Sequence, residues 1–448
     1  MASSSGSRFR KLQVRVFHHG RSWISELSNT MSRLMLTIRI GIVFSFILHF
    51  IAATIHAAEG DWPQWRGPNR DGVSAETGLL KEWPTNGPKL LWTARGLGWG
   101  YSSVSVVGDK VFSMGDGPDS GRVLALDRRD GKLLWAASVG KPGGDYPGTR
   151  CTPTAVGGFV FALGQWGDLV CVEATSGKEV WRKSLPNDLG GKMMSGWGYS
   201  ESPLVDGDRV FCTPGGPKGT LAALDKKTGA VLWRSTEFID RAAYGSIVPA
   251  TIGGVRQCIQ LTDSSVAGVA NDDGRLLWRA LRRGATAVIP TPIVKDDLVF
   301  VTSGYTIGCH LFKVSKEGDK FKAGPVYSNK DIANHHGGMV RVGDCVYGHA
   351  EGKGWVCVEL ISGKILWRHR GAGKGSVVCA DGRLYLRSED GNGTVALVEA
   401  TPDGYREKGR FDQPERSNKN SWAHPVVAGG RLYLRDQDVL LCYDVKSP

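Results

Sequence analysis

No two of the nine cysteines in this 448-residue chain are neighbours, and the chain has no Cys-x-x-Cys or Cys-x-x-Cys-His motif. Those absences exclude covalent haem attachment and a thioredoxin-like dithiol. A phosphate loop is missing too, because Gly96-Leu97-Gly98-Trp99-Gly100 is followed by no helix whose amide dipoles would face a phosphate. There is no basic run either. The formal charge of +12 is half concentrated in residues 1–58, which carry seven Lys/Arg against the single acid Glu26. The rest lacks the basic stripe of a nucleic-acid binder, so nucleic acid is not an expected partner. No apolar run reaches the ~20 residues of a bilayer span.

The longest apolar stretch, Ile40–Ile55, follows Arg33 and Arg39 and ends in His56-Ala57-Ala58 before the polar Glu59-Gly60-Asp61. That order is the one of a secretory signal, so residues 1–58 read as a leader, with an uncleaved N-terminal anchor as the alternative and the sole membrane attachment. Residues 1–30 add nothing to export, and Met31 or Met35 would give a more ordinary start. The expected location is exported, periplasmic or at the cell surface.

Beyond the leader, the chain repeats itself. LALDRRDGKLLW135, VCVEATSGKEVW181, LAALDKKTGAVLW233, VAGVANDDGRLLW278 and VCVELISGKILW367 each place a Trp four residues after a turn glycine. A β-rich run, an acidic turn residue, a Gly suited to positive φ and a second run make a hairpin. Upstream of each lies another pair of runs, as in SPLVDGDRVFCTPGG, so each unit has four strands. Units of about 46 residues with four strands are propeller blades. One blade lacks its Trp and carries Val326-Tyr327 instead; the unit after Trp367 ends near Phe411. The last runs out of chain before its fourth strand, while Lys89-Leu90-Leu91-Trp92 is a fourth strand without three before it. The expected fold is therefore an all-β, eight-bladed propeller of four-stranded blades over residues 88–448, closed by Leu90–Trp92 and preceded by an N-terminal arm, residues 59–87. Aligned third strands give the column Ala125, Cys171, Ala223, Gly268, Cys357 and Cys442, so cysteine there is a small hydrophobe and nine free thiols are expected.

The segment before each inner strand rings one mouth of the channel. Trp99-Gly100-Tyr101-Ser102 and Trp197-Gly198-Tyr199-Ser200 hold that place in blades 1 and 3. The other blades supply Arg150, Tyr244, Pro290, His335 with His336, Lys374, and Trp422 with His424; loops between second and third strands add Asp116, Trp166, Tyr305 and Glu351. The candidate ligand-binding set is Trp99, Tyr101, Arg150, Trp197, Tyr199, Tyr244, His335, His336, Lys374 and Trp422. Together they would form an aromatic, cationic lip whose two histidines gain charge on mild acidification. Adjacent residues on an extended chain face opposite ways, which disfavours one metal held by both histidines. Glu201, an inserted carboxylate, reads as an exposed rim acid or, alternatively, as a general base or calcium ligand.

The LALDxxTGxxLW endings and SPxVxGxxVY starts resemble the repeats of pyrroloquinoline-quinone (PQQ)-type propellers, which include quinoprotein alcohol dehydrogenases and outer-membrane assembly propellers. The resemblance covers residues 88–448 and implies that Trp92, Trp135, Trp181, Trp233, Trp278 and Trp367 dock between blades. It leaves two functions open. One is a binding scaffold for a protein segment, glycan or small anionic ligand. The other is a PQQ-dependent alcohol dehydrogenase of the polyvinyl-alcohol type, with PQQ and calcium, Glu201 as candidate catalytic group and a separate electron acceptor. The dehydrogenases' vicinal disulfide has no counterpart here, and their calcium ligands have no matching motif.

Overall fold

A computed structural model describes residues 60–448; the leader and Ile40–Ile55 lie outside the described residues. Eight antiparallel four-stranded sheets form an eight-bladed β-propeller. Blade 1 runs from Ser105–Val107 to Leu133–Gly140, and blade 7 carries an extra short strand, Val73–Ser74, parallel to its inner strand Gly375–Ala380. In blade 8 the strand Lys89–Ala94 pairs with Val439–Asp444, so the ring closes with the N-terminal strand supplying the outermost position. Closure leaves no blade one strand short.

The repeated Trp has a fixed register. Trp135 lies opposite Ala125, Trp181 opposite Cys171, Trp233 opposite Ala223, Trp278 opposite Gly268, Trp367 opposite Cys357 and Trp92 opposite Cys442. The small column is thus the surface each indole lies across, and that is why cysteine is tolerated there. All nine cysteines are buried and unbonded. A bulge follows each of these pairs, and it leaves Leu134, Val180, Leu232 and Leu91, the residues before four of the tryptophans, exposed.

Five of the six indoles then reach the next blade. Trp92, Trp135, Trp181, Trp233 and Trp367 donate their Nε1–H to the carbonyls of Arg128, Ala174, Lys226, Asn271 and Thr401. Four of these rings lie on the turn glycine of the neighbour. A Cβ at Gly177 would sit 2.6 Å from the Trp135 ring, and φ there is +74°, so glycine is required twice over. Tyr327 substitutes in the blade without Trp: it packs on Gly363 and its hydroxyl donates to Leu360 O at 2.8 Å. Trp278 departs from the expected docking. Blade 5 has a long hairpin with no glycine in reach, and the Trp278 Nε1–H turns back to Gln257 Oε1 of its own blade, 2.8 Å away.

The arm was legible as non-repetitive but not as what it is, a hub. Trp62 pairs with Val106 of blade 1, and Pro63 O accepts from Ala155 of blade 2. Arg70 donates to Ser202 O and Pro203 O at the start of blade 3. The Trp65 Nε1–H reaches Thr291 Oγ1 at 2.9 Å, Arg66 donates to Met339 O of blade 6, and Gly72 O accepts from Cys379 of blade 7. Both arginines are buried and sit in the left-handed region, at φ +60° and +58°. Such strain persists only where surroundings enforce it. Here the enforcement is that unpaired carbonyls of several blades must be satisfied at the axis. We expect Trp92→Ala to lower unfolding free energy by about 3–5 kcal/mol, since it deletes a buried indole at the closing seam. Urea unfolding reads this, and an unchanged midpoint would contradict the role of the seam.

Candidate functional site

The mouth before the inner strands opens onto one cavity of about 480 Å³. Of the ten candidate side chains, eight line it: Tyr101, Arg150, Trp197, Tyr244, His335, His336, Lys374 and Trp422. Pro290, Tyr305 and His424 join them, and the arm's Trp65 and Arg66 line it too. Every blade therefore contributes.

Trp99 and Tyr199 lie elsewhere. Trp99 is 49% exposed and bridges Asp116 through its backbone; Tyr199 is buried and its hydroxyl donates to Pro214 O at 3.0 Å. The two motif copies share a backbone device: the N–H of Tyr101 donates to Thr149 O and that of Tyr199 to Gln165 O, with Gly100 and Gly198 pressed on the same carbonyls. They differ in spacing. Three residues separate Tyr101 from the first strand residue, Ser105, but four separate Tyr199 from Leu204. One extra residue reverses the alternation. Blade 1 thus presents its Tyr and blade 3 its Trp.

The same extra residue accounts for Glu201, which the sequence placed on an exposed rim. That expectation is corrected: Glu201 is 2% exposed, between Ser200 and Ser202, which line the cavity, and it faces away from it. Its oxygens accept from the Thr213 backbone N–H and, at 2.5 Å, the Thr213 hydroxyl. Burial pushes its carboxyl up to about 7, against the lowering effect of these bonds and of Arg70.

The histidines also require correction. They lie in a loop rather than a strand, and their ring centroids are 3.7 Å apart instead of divergent. Burial, with His336 and Lys374 adding to it, lowers His335 to about 3, and burial lowers His336 as well. Charging of His335 between pH 8 and 6 is therefore not available. Lys374 Nζ is 2.8 Å from Glu389 Oε1 and 2.9 Å from His335 Nδ1. An ammonium only donates, so Nδ1 accepts and the proton of neutral His335 is on Nε2. Burial alone would raise Glu389, but His336 and Lys374 hold it at about 2.

The wall is a chain of rings. Tyr101 stacks on Trp422 at 4.4 Å and Trp422 on His336 at 4.1 Å, while Tyr305 meets His335 edge-on at 4.7 Å. Tyr146, which the sequence did not single out, is 44% exposed and contacts both Trp197 and Trp422. Arg150 donates to Trp197 O at 3.0 Å and Tyr146 O at 2.9 Å, which leaves three of its five donors free. Two buried arginines absent from the candidate set pin the lip from behind: Arg435 donates to Gly98 O and Arg387 to Ala423 O. No carboxylate lines the cavity, whereas Arg66, Arg150 and Lys374 do. Unpartnered buried polar atoms of lining residues include Ser200 Oγ, His335 Nε2 and Trp422 Nε1.

Calcium supporting a quinone takes protein oxygen ligands, carboxylates among them. Among the described residues no group of three or more His, Cys, Asp or Glu is placed to hold a metal. Glu389 is committed to Lys374 and Glu201 to Thr213, so the residues present do not fit that cofactor.

The eight four-stranded blades make the fold that of an eight-bladed β-propeller, and the repeat places it among the PQQ-type propellers. The family model described as outer membrane protein assembly factor BamB matches residues 119–369, more than half of the chain, and the chain belongs to that family. The assembly factor of Alkalilimnicola ehrlichii is 27% identical over 209 residues, 46% of this chain and 49% of that protein. That of Moranella endobia is 27% identical over 236 residues, 50% and 52% of the two chains. The chain spans about half the length of the curated relatives it matches. Among solved structures, BamB from Moraxella catarrhalis aligns with TM-score 0.56 at 15% identity, over 80% of this chain and 98% of that one. Quinohemoprotein alcohol dehydrogenase from Comamonas testosteroni aligns with TM-score 0.58 at 13% identity, over 89% and 82%. At such identities the likeness is one of fold.

Two measurements follow from the titrating groups. The His335 ring resonances in NMR should not move between pH 8 and 5; a midpoint near 6.5 would contradict its burial. Glu201 is raised in the fold, so the advantage of its protonated form is full below the unfolded carboxyl value and lost as pH rises through about 7. Glu201→Gln keeps a partner for each Thr213 donor or acceptor. The stability of this variant relative to the parent should grow by up to about 3 kcal/mol from pH 5 to pH 8, at ~1.4 kcal/mol per unit. A constant difference in urea unfolding would contradict the shift.

Proposed function

We propose that the chain is an exported, periplasmic binding scaffold that takes a protein segment at the cavity mouth. The observation that carries this reading is the convergence of lip residues from all eight blades, with the arm beneath, on one concave aromatic site free of lining acids. Aromatic and arginine-bearing concavities are what recognition sites favour. The relatives are outer membrane protein assembly factors, which makes protein the preferred class over a glycan or a small anion. The dehydrogenase reading has less support, because among the described residues no cluster of acids is placed to hold its calcium.

The test is a fluorescence titration of the purified mature protein with a panel of labelled dodecapeptides of mixed composition, run beside an anionic oligosaccharide. Binding of peptides should weaken about tenfold or more in Trp197→Ala, the loss expected for an aromatic anchor at the centre of an interface. Peptide affinity untouched by Trp197→Ala, or binding of the oligosaccharide alone, would overturn the reading.

A further inference from the structure

From the shape and charge of the mouth we infer, resting on the scaffold reading above, that the segment enters end-on and that its C-terminal α-carboxylate and an apolar last residue are what the cavity recognises. Three observations carry this.

The first is that the site is a pit, not a groove. The lip residues come from the whole ring, and below them the arm crosses the axis with Trp65 and Arg66 in the lining. A chain passing through would have to displace Trp62, Arg66 and Arg70, each buried and bonded to a different blade. A chain end needs no such displacement.

The second is the balance of charge. Three cations and no carboxylate line the cavity. They are not equivalent. Arg66, on the arm below the lip, gives its Nη2 protons to Met339 O and Asp71 O. Lys374 uses two of its three N–H groups on Glu389 and His335, and Arg150 uses two of five on backbone carbonyls. Arg150 and Lys374 therefore keep donors for a carboxylate, held in place by the bonds they already make. Charge-assisted bonds of this kind are the strong ones.

The third is the wall next to those donors. Tyr146 and Trp197 meet edge-on at 6.1 Å and are only partly covered, so ring surface is left for an apolar side chain. The cavity of about 480 Å³ holds one or two residues, not a folded element. Capture of a terminal carboxylate beside a side-chain pocket is an established mode of peptide recognition elsewhere.

The experiment compares two hexapeptides of one sequence ending in phenylalanine, one with a free α-carboxylate and one amidated, by calorimetry on the unaltered mature protein. The free acid should bind about tenfold or more tightly than the amide, the effect of one charge-assisted bond, and Arg150→Lys should reduce that ratio. Equal affinity for acid and amide, with binding still dependent on Trp197, would overturn the chain-end inference and leave the scaffold reading standing. Binding of neither peptide would overturn both. Binding of benzoate as tight as that of the acid peptide would also overturn it, by showing that the mouth takes a small aromatic anion instead of a chain end.

Discussion

Eight four-stranded blades enclose an axis that their own inner strands do not fill, and the shape of the candidate site depends on how that axis is closed. The inner strands begin beside unpaired carbonyls, and buried carbonyls without partners are costly. Residues 62–73 resolve both problems at once. Their indoles occupy volume and their guanidinium groups satisfy carbonyls of blades 3 and 6, while backbone pairing ties them to blades 1, 2 and 7. A channel becomes a cup.

The outer architecture follows a separate rule. Five blades offer an indole to their successor, and four of those rings lie on the successor's turn glycine, so most of the ring propagates by one repeated contact. Where the glycine is lost, in blade 5, the contact is lost with it and Trp278 bonds within its own blade. Where the Trp is lost, Tyr327 restores the contact through its hydroxyl. The ring therefore depends on the Gly–aromatic pair more than on tryptophan itself. At the lip the same economy appears, with Arg150, Arg387 and Arg435 substituting for strand neighbours that the loops lack.

How much of this could be read from the residues differs by scale. The blade count, the closing strand and the small column were legible because each is a periodic signal, repeated and aligned. The convergence of Arg150, Trp197, Tyr244, Lys374 and Trp422 was legible because position before an inner strand fixes the face. Whether a given side chain turns inward was not legible at Trp99, Tyr199 and Glu201, where one inserted residue reverses the alternation. The histidine charge was not legible either, since it depends on burial by neighbours from other blades, Lys374 among them. The hub role of the arm had no periodic signal at all, and Trp65 and Arg66 reach the site only through tertiary contacts.

The claim on which the account rests is that binding occurs inside this cup and nowhere on the outer strands. Hydrogen exchange, followed by mass spectrometry with and without a saturating peptide ligand, measures it directly. Added protection confined to residues 144–150, 193–200, 334–338 and 420–424, with the arm slow to exchange in both states, is the predicted result. Protection along the exposed outer strands, or an arm that exchanges as fast as a free chain, would contradict it.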